Sequence, residues 1–478
     1  MAEVQISTNS GSTATIESGA VEALATGLRG PLLRAGDAGY DDARLLWNGM
    51  MDKHPALIAR CTGMGDVISA VNFAREHNIV LAIRGGGHNV AGNACCEGGF
   101  MIDMALMNGV RVDPQAHTVR VQGGATLAQM DRETQVFGLA VPAGVVSTTG
   151  VAGLTLGGGT GWQTRKRGLT IDNLLSVDIV TTDGQPRVAN EKENADLFWA
   201  VRGGGGNFGV VTSFEFRAFP LGPNVLLFAP FYSADLARPA IRAFRDFVRE
   251  APEEFGAAFL FWFVPANPFF PAEHHGKPIV IPLLVYSGDV EKGQQLVEPL
   301  RKIGSPLVDL SGPIPWTALQ GMFDPFVPKK DLQYYWKNLY LDRIDDEVLD
   351  YLVEVGSTIP SKNTYLVFQA FGGAMSKVGA ADTAFGRRDM PYMFEFDSMW
   401  SDPNEAEKNI AWTRKMWAEM QKYSNGGLYL NFPGFGEEGE KLVRSALGNA
   451  NYDRLAKIKA KYDPTNLFRL NQNIKPAA

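Results

Sequence analysis

The sequence predicts an α+β protein of at least two domains, on three observations. The chain has 478 residues, more than a single hydrophobic core ordinarily serves. Glycine contributes 52 residues, about 11% of the chain, densest between Gly85 and Gly209, where about 7% is usual. After Pro220-Leu221-Gly222-Pro223-Asn224 glycine thins and aromatic residues rise, so the texture changes at a turn-forming segment. Before that turn, short apolar runs alternate with helix-periodic ones. Beyond it, the pattern fits an antiparallel sheet with helices on one face.

Bulk properties exclude several classes. Hydrophobic residues make up 45% and charged residues 20%, an ordinary globular composition. A net charge of −7 without a basic tract argues against a nucleic-acid partner. No apolar run reaches the ~18 residues of a membrane span, and no membrane partner is expected. Residues 1–20 are polar, lack the apolar core of a signal peptide, and are expected to form a flexible tail. Cys61 and the adjacent Cys95-Cys96 make no disulfide framework and fit a reducing, cytoplasmic setting. No His, Cys or Asp cluster has metal-ligand spacing, so no metal is expected, and no G-x-S-x-G elbow occurs.

Along the chain, Ala20 to Leu28 and Thr62 to Asn78 read as helices, and Leu57 to Arg60 as a strand between them. Ile79-Val80-Leu81-Ala82-Ile83 then reads as a buried strand entering Arg84-Gly85-Gly86-Gly87-His88-Asn89. Glycines there allow positive φ and let backbone N–H groups close around a phosphate. Arg84 offers a fork of donors suited to phosphate, and His88 a nucleophilic nitrogen. Strands follow at Phe100 to Asp103 and Thr118 to Val121, with a turn at Asp113-Pro114 that leaves His117 on the surface. An amphipathic helix covers Thr126 to Gly138, ahead of a second glycine system from Gly150 to Gly161.

A strand from Leu174 to Thr182 and a short helix from Asp196 to Val201 lead to a third glycine system, Arg202 to Gly209, which enters the strand Val210 to Phe216. Gly204, Gly206 and Gly209 match G-x-G-x-x-G. The order here is helix, glycines, strand, the reverse of the dinucleotide fingerprint, so a Rossmann reading fails. In the second region Ile279 to Tyr286 reads as a strand, and Ala237 to Glu250 and Glu405 to Tyr423 as helices. His274-His275, between Pro271 and Gly276, reads as surface loop. Asp463-Pro464 stops a helix beginning near Asn451.

The ordered set of Arg84 to His88, the 150–161 loop, Gly204 to Val211 and Tyr462-Asp463-Pro464-Thr465-Asn466-Leu467-Phe468 resembles a flavoprotein family. It is the berberine-bridge-enzyme-like branch of the vanillyl-alcohol oxidase/para-cresol methylhydroxylase (PCMH) fold. The likeness spans residues 60–220 and 425–475; between them it extends to length and texture alone. It implies a PCMH-type FAD-binding domain of two α+β lobes over 21–220, a substrate-binding domain over 221–424, and a return to the FAD domain over 425–478. FAD is expected between the domains.

The resemblance also assigns residues. FAD contacts are expected from Arg84, Gly85, Gly86, Gly87 and Asn89 in the first loop, and from Gly144, Thr148, Thr149, Gly150, Gly153, Gly157, Gly158, Gly159 and Gly161 in the second. Gly209, Val210 and Val211 belong to the third, and Tyr429, Asn431, Asn471 and Asn473 to the end of the chain. His88 is expected to bond the flavin 8α-methyl carbon. Some members add a second bond through a cysteine four residues before the glycine matching Gly150. Val146 stands there, so one covalent link is expected.

The implied activity is that of an FAD-dependent oxidoreductase, an oxidase of an alcohol carbon in a small molecule (sugar, secondary metabolite or xenobiotic), with molecular oxygen as acceptor. Loss of hydride from an alcohol needs a base for the hydroxyl proton. Tyr429, in Tyr429-Leu430-Asn431, is the candidate, although a tyrosine near pKa ~10 needs a cation or polarised donor beside it. Phe432 stands where relatives have a second tyrosine, and Gln369 is placed to hold a substrate hydroxyl. Val151, small and just after Gly150, is expected to admit oxygen. Amine oxidation, a dehydrogenase using another acceptor, and a non-catalytic nucleotide-binding protein are the alternatives.

Overall fold

The computed structural model describes residues 3–424, 426–432, 434–437 and 439–478. The first two residues of the expected tail, the boundary at 425 and the proline closing the Tyr429 motif lie outside them.

Three sheets organise the α+β chain. In the first, the strands Leu57–Arg60, Phe100–Asp103 and Leu81–Arg84 are parallel, with Leu32–Leu33 antiparallel at the edge. Leu57, Ile58, Ala59, Phe100, Met101 and Ile102 are all fully buried, which suits the unbroken apolar runs of a parallel sheet covered on both sides. The helix Met64–Glu76 connects two of these strands and covers one face.

The second sheet is antiparallel, in the order Pro186–Asn190, Leu174–Val180, Val210–Arg217, Thr118–Gln122, Val110–Asp113. Its helix Leu127–Gln135 starts with a capping box between Thr126 and Gln129. The helix Ala195–Val201, the third glycine loop and the strand Val210–Arg217 follow one another in the order that ruled out the dinucleotide fingerprint.

All nine strands of the third sheet lie between Asn224 and Trp400 and pair antiparallel. Alternation along them separates two buried faces. Phe259, Phe261, Phe368, Phe394 and Phe396 pack against Ile241, Phe244, Leu349, Leu352 and Met416 of the helices Ala237–Glu250, Asp346–Ser357 and Ala406–Met420. On the opposite face, Ala258, Leu260, Trp262, Tyr365 and Val367 join Trp47, Val90 and Trp162 from the first half of the chain. The helices Gly439–Leu447 and Asn449–Tyr462 then return Val443, Leu447, Tyr452 and Leu455 to the core of the second sheet. No helix among the described residues is long and apolar enough to cross a membrane.

Two segments differ from expectation. Residues 4–16 are not a frayed tail: Val4–Ser7 pairs with Thr13–Ile16, and Val4, Ile6 and Ile16 are buried against the first sheet's core. Ser7 also exchanges backbone hydrogen bonds with Gly98 and Val80. The 150–161 segment is not all loop, because Val151–Leu156 forms a helix before the chain opens at Gly157.

The hairpin can be weighed directly. Ile6 is fully buried, so Ile6→Ala should lower unfolding free energy by about 2–5 kcal/mol in urea titration. A flexible tail would leave the midpoint unchanged.

Candidate active site

The glycine loops converge on a cavity of about 340 Å³, faced across by the third sheet. The contact that sets this wall is between Gly86 and Gly150. A Cβ built on either would lie 2.3 Å from the other's backbone nitrogen, so no side chain fits and the two loops touch main chain to main chain. At Gly157 a Cβ would lie 2.0 Å from the Asn431 side-chain oxygen, so the Asn431 side chain of the C-terminal motif packs directly on the main chain of the second loop.

The facing wall contains a feature that sequence reasoning missed. Glu395 and Asp397 line the cavity from the strand Tyr392–Trp400, while Phe394 and Phe396, alternating with them, face the helices. Both carboxyls are buried. Burial pushes both up out of the ordinary carboxylate range, and for Glu395 the Asp397 charge adds to it. Asp397 Oδ1 has no hydrogen-bond partner in the protein. Tyr365, Val367 and Gln369 line the cavity from the neighbouring strand, and Gln369 Nε2 donates to Glu395 Oε1 at 2.6 Å. The available signal was Phe-Glu-Phe-Asp alternation in a strand buried on both sides.

Tyr429 is fixed from two directions. The Asn338 side chain accepts from the Tyr429 N–H at 2.7 Å and donates to the carbonyls of Tyr429 (3.0 Å) and Phe432 (2.7 Å). The phenol oxygen accepts from the Gly159 N–H at 3.0 Å and from Asn431 Nδ2 at 2.7 Å. These donors favour the phenolate, yet burial outweighs them and pushes the pKa up to about 12. Tyr429 therefore keeps its proton at neutral pH.

His88 opens onto the cavity with its ring stacked on Trp47 at 4.7 Å, and Nε2 lies 2.9 Å from Thr148 Oγ1. Burial first, and the Lys329 charge second, bring its pKa down to about 3. The imidazole is neutral, with one nitrogen lone pair free of a proton.

Most of the expected residues come together. Gly85, Gly86, Gly87, Asn89, Gly144, Thr149, Gly150, Gly153 and Gly161 line the cavity. So do Gly209, Val210, Val211, Asn431 and Asn471. Thr148 stands behind His88, and Gly159 behind Tyr429. Gly158 lies under Phe385 and Tyr429, and Asn473 is off the cavity wall.

Two expectations need correction. Arg84 does not reach the cavity: Leu81, Ile83 and Gly85 face it, so strand alternation turns Arg84 away, and its guanidinium donates to the Ala43 carbonyl. Val151 is fully buried in the second sheet's core, while Thr149, Gly150 and Ala152 border the cavity. Val151 thus does not border the cavity into which it is expected to admit oxygen. Val146 does line the cavity, without a nucleophile to offer.

Residues 55–190 match the family described as FAD binding domain, and residues 428–475 the one described as berberine and berberine like. The chain is 29% identical to an FAD-linked oxidoreductase of Dictyostelium discoideum, over 94% of this chain and 95% of that one. It is 27% identical to (R)-6-hydroxynicotine oxidase of Paenarthrobacter nicotinovorans, over 94% and 97%. A chitooligosaccharide oxidase structure superposes with a TM-score of 0.82 at 25% identity, over 96% of this chain and all of that one. The cavity fits FAD on its own chemistry: glycines of all three loops bring main chain to one wall, beside small side chains such as Thr149 and Ala152, and a neutral imidazole stands at its side.

One buried ion pair holds the C-terminal part of this wall. Lys459 Nζ donates to Asp463 (2.6 Å), to the Asn207 carbonyl (2.6 Å) and to the Phe468 carbonyl (2.9 Å), with both side chains wholly buried. Asp463→Ala strands a buried ammonium and should cost about 3–5 kcal/mol by urea titration. A cost below about 1 kcal/mol is what an exposed pair would give.

Proposed function

Because the chain belongs to the berberine-bridge-enzyme-like FAD-linked oxidoreductases, we propose that it oxidises an alcohol carbon of a small molecule to a carbonyl, with oxygen as the electron acceptor. The observation that supports this best is the Glu395–Asp397 pair on the cavity wall. When bound, FAD supplies the hydride acceptor.

The residues divide the remaining work by environment. Asp397, with an unpartnered oxygen and a raised pKa, accepts the hydroxyl proton near neutral pH, where a general base is most effective. Gln369 holds Glu395 beside it. Tyr429 is too weakly acidic to serve as that base. With its oxygen already accepting from Gly159 and Asn431, it has its own O–H to donate to a substrate oxygen. Trp162, Trp336, Phe323 and Tyr365 keep the wall apolar and favour a small, ring-shaped substrate. His88 makes the single covalent bond to the flavin, supported by its neutral imidazole. The free, buried Cys61, Cys95 and Cys96 support a cytoplasmic setting.

An amine reading has one observation of its own: the same acidic wall would hold a substrate ammonium, as an ion pair with the carboxylates. Asp397→Asn separates the two readings. For an alcohol, kcat should fall at least about 100-fold with KM nearly unchanged. For an amine, KM should rise while kcat is kept. With an alcohol, kcat/KM should climb with pH through neutrality, because the deprotonated pair is the active form and its pKa is raised. A flat profile would remove the pair from proton transfer.

Colour that stays with acid-precipitated protein, on the peptide containing His88, is the expected result for the bond. Flavin released into the supernatant overturns it. Hydrogen peroxide should form one for one with product; turnover that needs a dye in place of oxygen marks a dehydrogenase.

A further inference from the structure

Trp47-Asn48-Gly49 joins the His88 loop to the edge strand of the nine-stranded sheet, Gln333–Leu341. Trp47 and Asn48 are each attached at both ends. The Trp47 N–H donates to the Gly87 carbonyl at 3.1 Å, and its carbonyl accepts from the Lys330 N–H at 2.8 Å. Its indole stacks on His88, and also on Tyr334 at 3.6 Å, while Nε1 donates to the Val327 carbonyl at 2.9 Å. Asn48 Nδ2 donates to the Val90 carbonyl (2.7 Å) and the Tyr334 carbonyl (2.9 Å), and Oδ1 accepts from the N–H groups of Tyr334 and Met50, each at 3.0 Å. That uses the whole donor and acceptor capacity of the carboxamide. A Cβ at Gly49 would lie 2.4 Å from the Lys330 carbonyl oxygen, so the segment sits flush against the sheet.

We propose that Trp47 and Asn48 are positioning residues for His88. They hold its imidazole in one orientation for attachment to the flavin, and they make that attachment depend on docking of the sheet. This rests on the covalent reading of His88 given above. Stacking fixes the ring plane, and a ring held within about 1 Å of its reacting position gains orders of magnitude in rate. In the attachment, a nitrogen–carbon bond forms between the imidazole and the 8α carbon. The imidazole N–H and one methyl C–H are lost as protons. The isoalloxazine takes up the electron pair, and molecular oxygen then removes two electrons and two protons as hydrogen peroxide.

The test adds FAD to protein purified without it, and follows acid-stable flavin with time alongside total bound FAD. Trp47→Leu should bind FAD yet attach it at least about tenfold more slowly. Trp47→Phe, which keeps a stacking ring, should recover most of the wild-type rate, a rescue that loss of packing alone would not give. Asn48→Ala should slow attachment with FAD still bound. Attachment by Trp47→Leu at the wild-type rate overturns the inference while leaving the bond in place. If Trp47→Leu does not fold, Asn48→Ala decides on the same readout, and an unchanged rate overturns it. Wild-type protein that releases all its flavin in acid overturns the bond and this inference with it, which distinguishes the two failures.

Discussion

Gly86 and Gly150 touch main chain to main chain, and the cavity takes its form from that contact. With the glycines in place, the second loop is tied down elsewhere by backbone bonds: Leu127 to Thr149, Ala128 to Ser147 and Val151 to Ala125. Asp324, from the other half of the chain, adds two hydrogen bonds to Ser147. His88 and Thr148 meet because their two loops have no room to separate. A single methyl at either glycine would push apart the wall that so many other contacts are arranged to support.

The third sheet supplies the opposite condition, a surface on which polar groups are kept dry. Its outer face is covered by helices and its inner face by the first half of the chain, so Glu395 and Asp397 are buried, and among the described residues neither is in an ion pair. Arg165 borders the same cavity, but its guanidinium donates to the carbonyls of Phe371 and Ala251. Desolvation therefore decides the protonation of this wall. Tyr429 illustrates the balance from the other side: donors aimed at its oxygen fail to offset burial. Carboxyl and phenol in one cavity are thereby both pushed up, each holding its proton to a higher pH than it would in water.

Much of this was legible in the sequence, and the misses have physical causes. Glycine loops and the helix stop at Asp463-Pro464 are local features, decided by which residues tolerate a conformation. The alternation of strands and helices is likewise visible over short windows. Arg84 and Val151 depend on which way a side chain points, and a shift of one residue reverses that. The N-terminal hairpin has strands of four residues, too short for alternation to stand out against polar neighbours. Glu395 and Asp397 look like the solvent side of a strand until the face they occupy is known to be enclosed. Trp47 and Asn48 find partners 280 and 286 residues away, beyond the reach of any window.

Asn48 has a consequence for solubility as well. Strand Gln333–Leu341 ends the nine-stranded sheet, and a long exposed edge is a template for pairing with another chain. Here the Asn48 carboxamide occupies both backbone groups of Tyr334, and the Trp417 indole N–H takes the carbonyl of Asn338 four residues on. On the other side the sheet forks, ending in Val308–Asp309, only two residues long, and in Gly312–Pro315, where two prolines lack an N–H to offer. Each margin is thus a poor template for a neighbouring strand.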